Sequence, residues 1–282
     1  MAVGFSLKSG RFQWKSGAFT LIELLVVIAV IGILAAMLLP TLSSAKSRAQ
    51  GIQCISNLRQ VALGWELYTD ESNNHYPANG STTGGSQASV GENSYNPSWV
   101  AGVLKRTTFP DNTNTVLLVG DAYRSFGSIG GYVKNPGVYH CPADVSIDPG
   151  NGHSRVRSIS MNSWINPGKV NTAATYWTKP FEKFTQPTGF IKVSPSNIFV
   201  FLDEQPSTIN DGWLLMNMDG YNPDGSITES LLNVDDLPAV YHNKCSAFSY
   251  ADGHAELHPW RGGAVLNDDD LVWLMTHATV PQ

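Results

Sequence analysis

The side chains best suited to chemistry gather near the C-terminus, where His242 is followed by Asp252, Gly253, His254 and Glu256. Imidazole and carboxylate are good ligands for transition metals, so His242, Asp252 and His254 are a candidate metal set. His258 does not extend it, because His254 and His258 on one strand stand about 13 Å apart. Asp203-Glu204 and Asp268-Asp269-Asp270 are rich in carboxylate oxygen and are the candidates for calcium, a hard cation held by oxygen; each also reads as ordinary solvated acidic surface. Cysteine gives a weaker metal signal, since Cys54, Cys141 and Cys245 are isolated and no Cys-x2-Cys pair occurs. In an oxidising compartment three cysteines give one disulfide and one leftover thiol. Cys54 and Cys141 are the preferred pair, since a bridge there would tie a sheet to a helix. The sequence has no Gly-x-Ser-x-Gly elbow, no His-Glu-x-x-His and no phosphate-binding Gly-x4-Gly-Lys-Ser/Thr loop. No catalytic residue is nominated, and the chain reads as a non-enzyme. Trp99, Trp164, Trp177, Trp213, Trp260 and Trp273 offer rings for stacking on sugars. They define the alternative function, a membrane-tethered, glycan-binding type of module that does not polymerise.

The element that anchors the chain is an apolar helix. Phe19 to Leu39 is about 21 residues long, which at the helical rise covers the roughly 30 Å of a bilayer core. Lys8, Arg11 and Lys15 precede it with no acidic residue, so the first 18 residues stay cytoplasmic and the chain after the span lies outside the cytoplasmic membrane. The small residues Gly17-Ala18 come before the apolar run, whereas a secretory signal peptide would have them after it. Cutting there leaves the helix in the mature protein. Glu23 sits inside the span, where a carboxylate costs about 2.5 to 3.5 kcal/mol and is usually paired. Pro40 removes one helical hydrogen bond and marks a kink. Beyond it Leu42, Ala45, Ala49 and Ile52, then Cys54, Leu58, Val61, Trp65 and Tyr68, recur at three- and four-residue steps. That amphipathic stripe predicts a helix whose second half packs on a soluble domain.

Gly17-Ala18-Phe19-Thr20-Leu21-Ile22-Glu23-Leu24-Leu25 and the apolar run that follows resemble the class III signal of type IV prepilins and type II secretion pseudopilins. The resemblance implies that a prepilin peptidase cuts between Ala18 and Phe19 and methylates the new Phe19 amine. It makes Glu23 the fifth mature residue, whose family role is to meet the terminal amine of a neighbouring subunit. The implied partners are that peptidase, other pilin or pseudopilin subunits, the cytoplasmic membrane and the assembly machinery. Ala18 stands where the family usually has glycine.

After the helix, Asn79 to Ser98 reads as a long polar loop. Thr115–Val119, Gly137–Cys141, Ser158–Met161 and Asn197–Leu202 read as strands between turn residues, with Asp219-Gly220 and Asp224-Gly225 as turns. This order predicts an α+β fold, a long N-terminal helix against an antiparallel sheet. The divisions are a leader over 1–18, a helix over 19–72 with its span at 19–39, and an exterior domain over 73–282. Nine residues separate His242 from Asp252-Gly253, which resembles the H-X9-DG motif closing prepilin-type proteins of planctomycete and verrucomicrobial type. Asn57-Leu58-Arg59-Gln60 and Cys141-Pro142-Ala143-Asp144 add to that resemblance. Physically, Asp252-Gly253 is a two-residue hairpin signal within 242–260, pairing Phe248 with Leu257 and Tyr250 with Ala255 on one apolar face. The net charge of −5, more negative once the leader cations are gone, gives no support to nucleic-acid binding.

Overall fold

The computed structural model describes residues 20–80, 98–167 and 180–282. Ala18, Phe19 and most of the predicted polar loop lie outside these residues. The chain divides into two units, Met1–Ala45 and Lys46–Gln282. Helix α1 (Leu21–Glu71) contributes to both and continues through Pro40. Among the described residues it is the one helix long and apolar enough to cross a membrane. Within the first unit its side chains from Leu21 to Leu42 are all exposed. The helix ends where Asn73 and Asn74 take φ of 54° and 57°, a left-handed conformation that asparagine tolerates.

In the second unit, β1 (Ile159–Asn162), β2 (Phe199–Asp203), β3 (Trp213–Leu214), β4 (Cys245–Tyr250) and β5 (Ala255–Pro259) form one sheet in the order β3-β1-β2-β4-β5. On one face Cys54, Leu58, Val61 and Trp65 of α1 join a core with Ile159, Met161, Val200, Ala247 and Ala255. On the other face Leu274, Met275 and Ala278 of α2 (Asp268–Ala278) join Phe199, Leu202, Trp213 and Phe248. Ala247 and Phe248 serve opposite cores because strand side chains alternate. The layout is the expected α+β one, a long helix against a sheet.

Several local expectations are corrected. The sheet is mixed, since β3 pairs parallel with β1 while the other pairings are antiparallel. Thr115–Leu117 and Pro136–Tyr139 are 3-10 turns instead of strands. Asn114 and Asn135 cap these turns by accepting from the Val116 and Gly137 amides, and Pro136 supplies a helical φ at the start of the second. The helix stripe is buried only from Gly51 onward; Leu42 and Ile52 are 67% and 69% exposed.

The β4–β5 hairpin differs from its predicted register by one residue. Phe248 faces Glu256 and Ala247 faces Leu257, so Phe248 and Leu257 lie on opposite faces. The turn has three residues, Ala251-Asp252-Gly253, closed by the Tyr250 amide on the His254 carbonyl, with Gly253 at φ +84°. A three-residue turn with glycine in the left-handed position is the next commonest hairpin connection. The nine-residue interval now has a physical content. Asn243 and Lys244, both at positive φ, make a tight turn in which His242 and Cys245 exchange backbone hydrogen bonds; β4 and Ala251 complete the nine. The motif measures one strand with the turn that enters it.

Helix and domain approach closely at Gly64, where a Cβ would lie 2.3 Å from Val133 Cγ2. Val133 is stiff at χ1, so Gly64→Ala should overpack by more than the improved helix propensity returns. A net loss of about 1 kcal/mol is expected, read as a lower denaturant midpoint at unchanged slope.

Candidate functional site

Two places hold the residues that the sequence singles out. The first is the start of α1. Thr20 Oγ1 accepts from the Glu23 amide at 3.2 Å, while Glu23 Oε2 accepts from the Thr20 amide and hydroxyl, both at 2.9 Å. This reciprocal pair is a capping box. Within the single chain the carboxylate therefore has a local partner that the sequence reading overlooked, although Thr-x-x-Glu was legible there. Around it Leu21, Ile22, Leu24 and Leu25 are all exposed.

The second place is in the core under α1. Cys54 of α1, Cys141, Asp203 at the end of β2 and His242 at the turn into β4 are all buried, and one ligand atom from each lies within 4.8 Å of those of the other three. Cys54 Sγ donates to Asp203 Oδ2. Cys141 Sγ is 3.3 Å from His242 Nε2. Ser158 ties the cluster together, its hydroxyl donating to Asp203 Oδ1 at 2.8 Å and accepting from the Cys141 amide at 2.7 Å. Burial pushes the Asp203 carboxyl up to about 6, with the hydrogen bonds from Cys54 and Ser158 acting the other way. The neighbouring Cys141 sulfur, then burial, then the Asp203 charge push the Cys54 thiol well up. Burial pulls the His242 imidazole down.

All three cysteines are free. Cys54 and Cys141 meet as their preferred pairing requires, but each sulfur is held by a different partner and no bridge joins them. The metal set read from the sequence does not assemble. Asp252 and His254 contact each other beside the hairpin turn, where Gly253 approaches Glu66 of α1, whereas the His242 ring lies against Gly51. Those two helix positions are about 22 Å apart along the axis, so His242 cannot share an ion with Asp252 and His254. Asp203 belongs with His242 instead. The sequence marks Asp203 only as half of an oxygen-rich pair, and nothing in its spacing joins it to two cysteines and a histidine.

The other oxygen-rich residues are engaged elsewhere. Asp270 completes a capping box with Asn267 and accepts from the Arg261 and Gly262 amides, and Asp269 pairs with Arg261. Glu204, next to Asp203 in the chain, is buried near Asp236 and Asp211, and Arg157 adds the opposing charge. Burial pushes Asp236 up to about 7, against its Leu215 amide hydrogen bond and with the Asp211 and Asp235 charges adding to it. An acid raised above its ordinary value of 3.8 binds its proton more tightly in the folded chain. Stability is then greatest at low pH and falls as pH rises from about 4 through about 7. Asp236→Asn keeps an acceptor for Leu215, so it should raise the melting temperature at pH 8 and leave it little changed below about pH 4. The expected gain at pH 8 is on the order of 1–3 kcal/mol.

The rings offered for sugar stacking are mostly inside. Trp99, Trp164, Trp213 and Trp260 are buried, Trp273 stacks on His258 and His277, and Trp177 lies outside the described residues.

Comparison with known proteins bears on the first place. Residues 15–39 match the prokaryotic N-terminal methylation motif. The chain is 46% identical over 61 residues to the type IV wide pilus major component PilA4 of Thermus thermophilus, covering 22% of this chain and 46% of that one. It is 31% identical over 69 residues to the type II secretion system core protein G of Pectobacterium carotovorum, covering 24% and 44%. Against the core protein G of Escherichia coli it is 35% identical over 63 residues, covering 22% and 43%. The chain thus spans less than half the length of each of these relatives. No solved structure matches it.

Proposed function

We propose that this chain is a structural subunit of a type IV pilus or type II secretion pseudopilus. A prepilin peptidase releases its leader between Ala18 and Phe19, α1 holds it in the cytoplasmic membrane, and the domain after the span lies outside. The observation that carries this reading is the methylation motif over 15–39, which coincides with the start of a helix whose apolar side chains are exposed from Leu21 to Leu42. That surface calls for lipid before assembly and neighbouring helices after it. Glu23, in the first turn of the helix, is the carboxylate that in this reading meets the Phe19 amine of a neighbour. The H-X9-DG spacing of His242 to Gly253 supports reading the subunit as one of the planctomycete or verrucomicrobial type, and the reading needs neither a cofactor nor calcium. Mass spectrometry of the chain purified from its native membrane tests the proposal. A mature chain beginning at methylated Phe19 is expected, and an intact leader would overturn it.

A further inference from the structure

Cys54, Cys141, Asp203 and His242 come from four separate segments, yet the fold delivers two sulfurs, a carboxylate oxygen and an imidazole nitrogen to one buried point. We infer that these four residues form a structural centre for a zinc-class divalent cation, which fastens the second half of α1 to the sheet.

Four points support it. The donor set is right: thiolate and imidazole select zinc over the hard cations calcium and magnesium, and structural zinc sites are closed, four-coordinate and made of such ligands. The spacing is right as well. Tetrahedral zinc with ligands at about 2.0–2.3 Å has edges of about 3.3–3.8 Å, and the Cys141 to His242 contact is already 3.3 Å. A second layer exists, since Ser158 holds Asp203 by Oδ1 and leaves Oδ2 for the centre, where it now meets Cys54; such outer partners orient ligands. Finally, the cluster gathers two thiols, a carboxyl and an imidazole in an apolar core, where a negative charge formed on any of the first three is costly without a compensating cation. A dication displacing the two thiol protons supplies that charge and leaves every donor engaged.

The site also gives His242 a role that the hairpin does not. The tight turn at Asn243-Lys244 sets where β4 begins, and His242 at its entry is aimed at Cys141 beside α1. Cys245, three residues on, is partly exposed and outside the cluster, so it serves as an internal control.

The test uses the full chain purified in detergent with reductant and without chelator. Metal content is measured by plasma mass spectrometry, and cobalt(II) is titrated into the stripped protein. About one zinc per chain is expected, with cobalt giving thiolate charge-transfer and tetrahedral ligand-field absorption. Cys141→Ser should weaken cobalt binding at least tenfold and Cys245→Ser should leave it unchanged. Because Cys141→Ser could unfold the chain, Asp203→Cys is the companion variant; it retains four donors and should keep one equivalent. A folded, reduced wild type that shows no thiolate-to-cobalt band would overturn the inference. So would a Cys54–Cys141 disulfide without metal in protein isolated from its native membrane. The result is separable from the assembly reading, since a chain with an intact leader would bind the metal just as well.

Discussion

Glu23→Ala is expected to leave membrane insertion and cutting before Phe19 intact and to abolish filaments or pseudopili in electron micrographs of cells. A carboxylate and an ammonium brought together out of water gain Coulomb energy that neither has alone, and removing one partner of a buried pair costs about 3–5 kcal/mol. At about 1.4 kcal/mol per decade, each subunit contact would weaken roughly a hundredfold or more, beyond what a repeating assembly tolerates. The capping box with Thr20 supplies a competing account in which Glu23 only starts the helix. Glu23→Gln separates the two, because glutamine serves equally in that box but carries no charge. The assembly role predicts that Gln fails as Ala does; normal filaments with Gln would reduce Glu23 to a cap.

The second large effect concerns the nine-residue interval. Deleting Ser249 shortens β4 by one residue between its fixed turns, and a one-residue slip moves side chains to the wrong face. If β4 keeps its entry at the Asn243-Lys244 turn, Tyr250 shifts to the α1 side; if it keeps its exit at Gly253, Phe248 leaves the core it shares with Phe199, Trp260 and Trp273. Emptying the Phe248 site alone costs about 3–5 kcal/mol, a large part of a domain's stability. The deletion should therefore abolish cooperative thermal unfolding, whereas one glycine inserted into the exposed Asn222–Ser226 turn should barely change the melting temperature. Native-like melting of the deletion variant would show that the interval is not set by strand register.

Much of this fold is legible in the sequence wherever a pattern is local. The apolar run shows in its length, the stripe from Cys54 to Trp65 in its three- and four-residue steps, and the strands at 159–162 and 199–203 as short apolar segments between turn residues. The failures are cases where one side chain outweighs a pattern. Asn114 and Asn135 turn apolar, strand-like segments into 3-10 turns by capping them, and a single residue of turn length decides which face Leu257 takes. The buried cluster was the least legible part. Cys54, Cys141 and His242 each stand in a recognisable segment, but only the antiparallel β1–β2 and β2–β4 pairings bring Asp203 between Ser158 and α1. No spacing along the chain encodes that meeting.

The edges of the sheet limit how copies of this chain can join. One edge is β3, two residues long, and the other is β5, which carries Glu256 and His258 and ends at Pro259. Short, charged, proline-terminated borders are poor templates for another strand. Growth by stitching sheet to sheet, the route that leads to amyloid-like stacking, is thereby discouraged, so the assembly proposed above would draw on the exposed apolar surface of α1 instead.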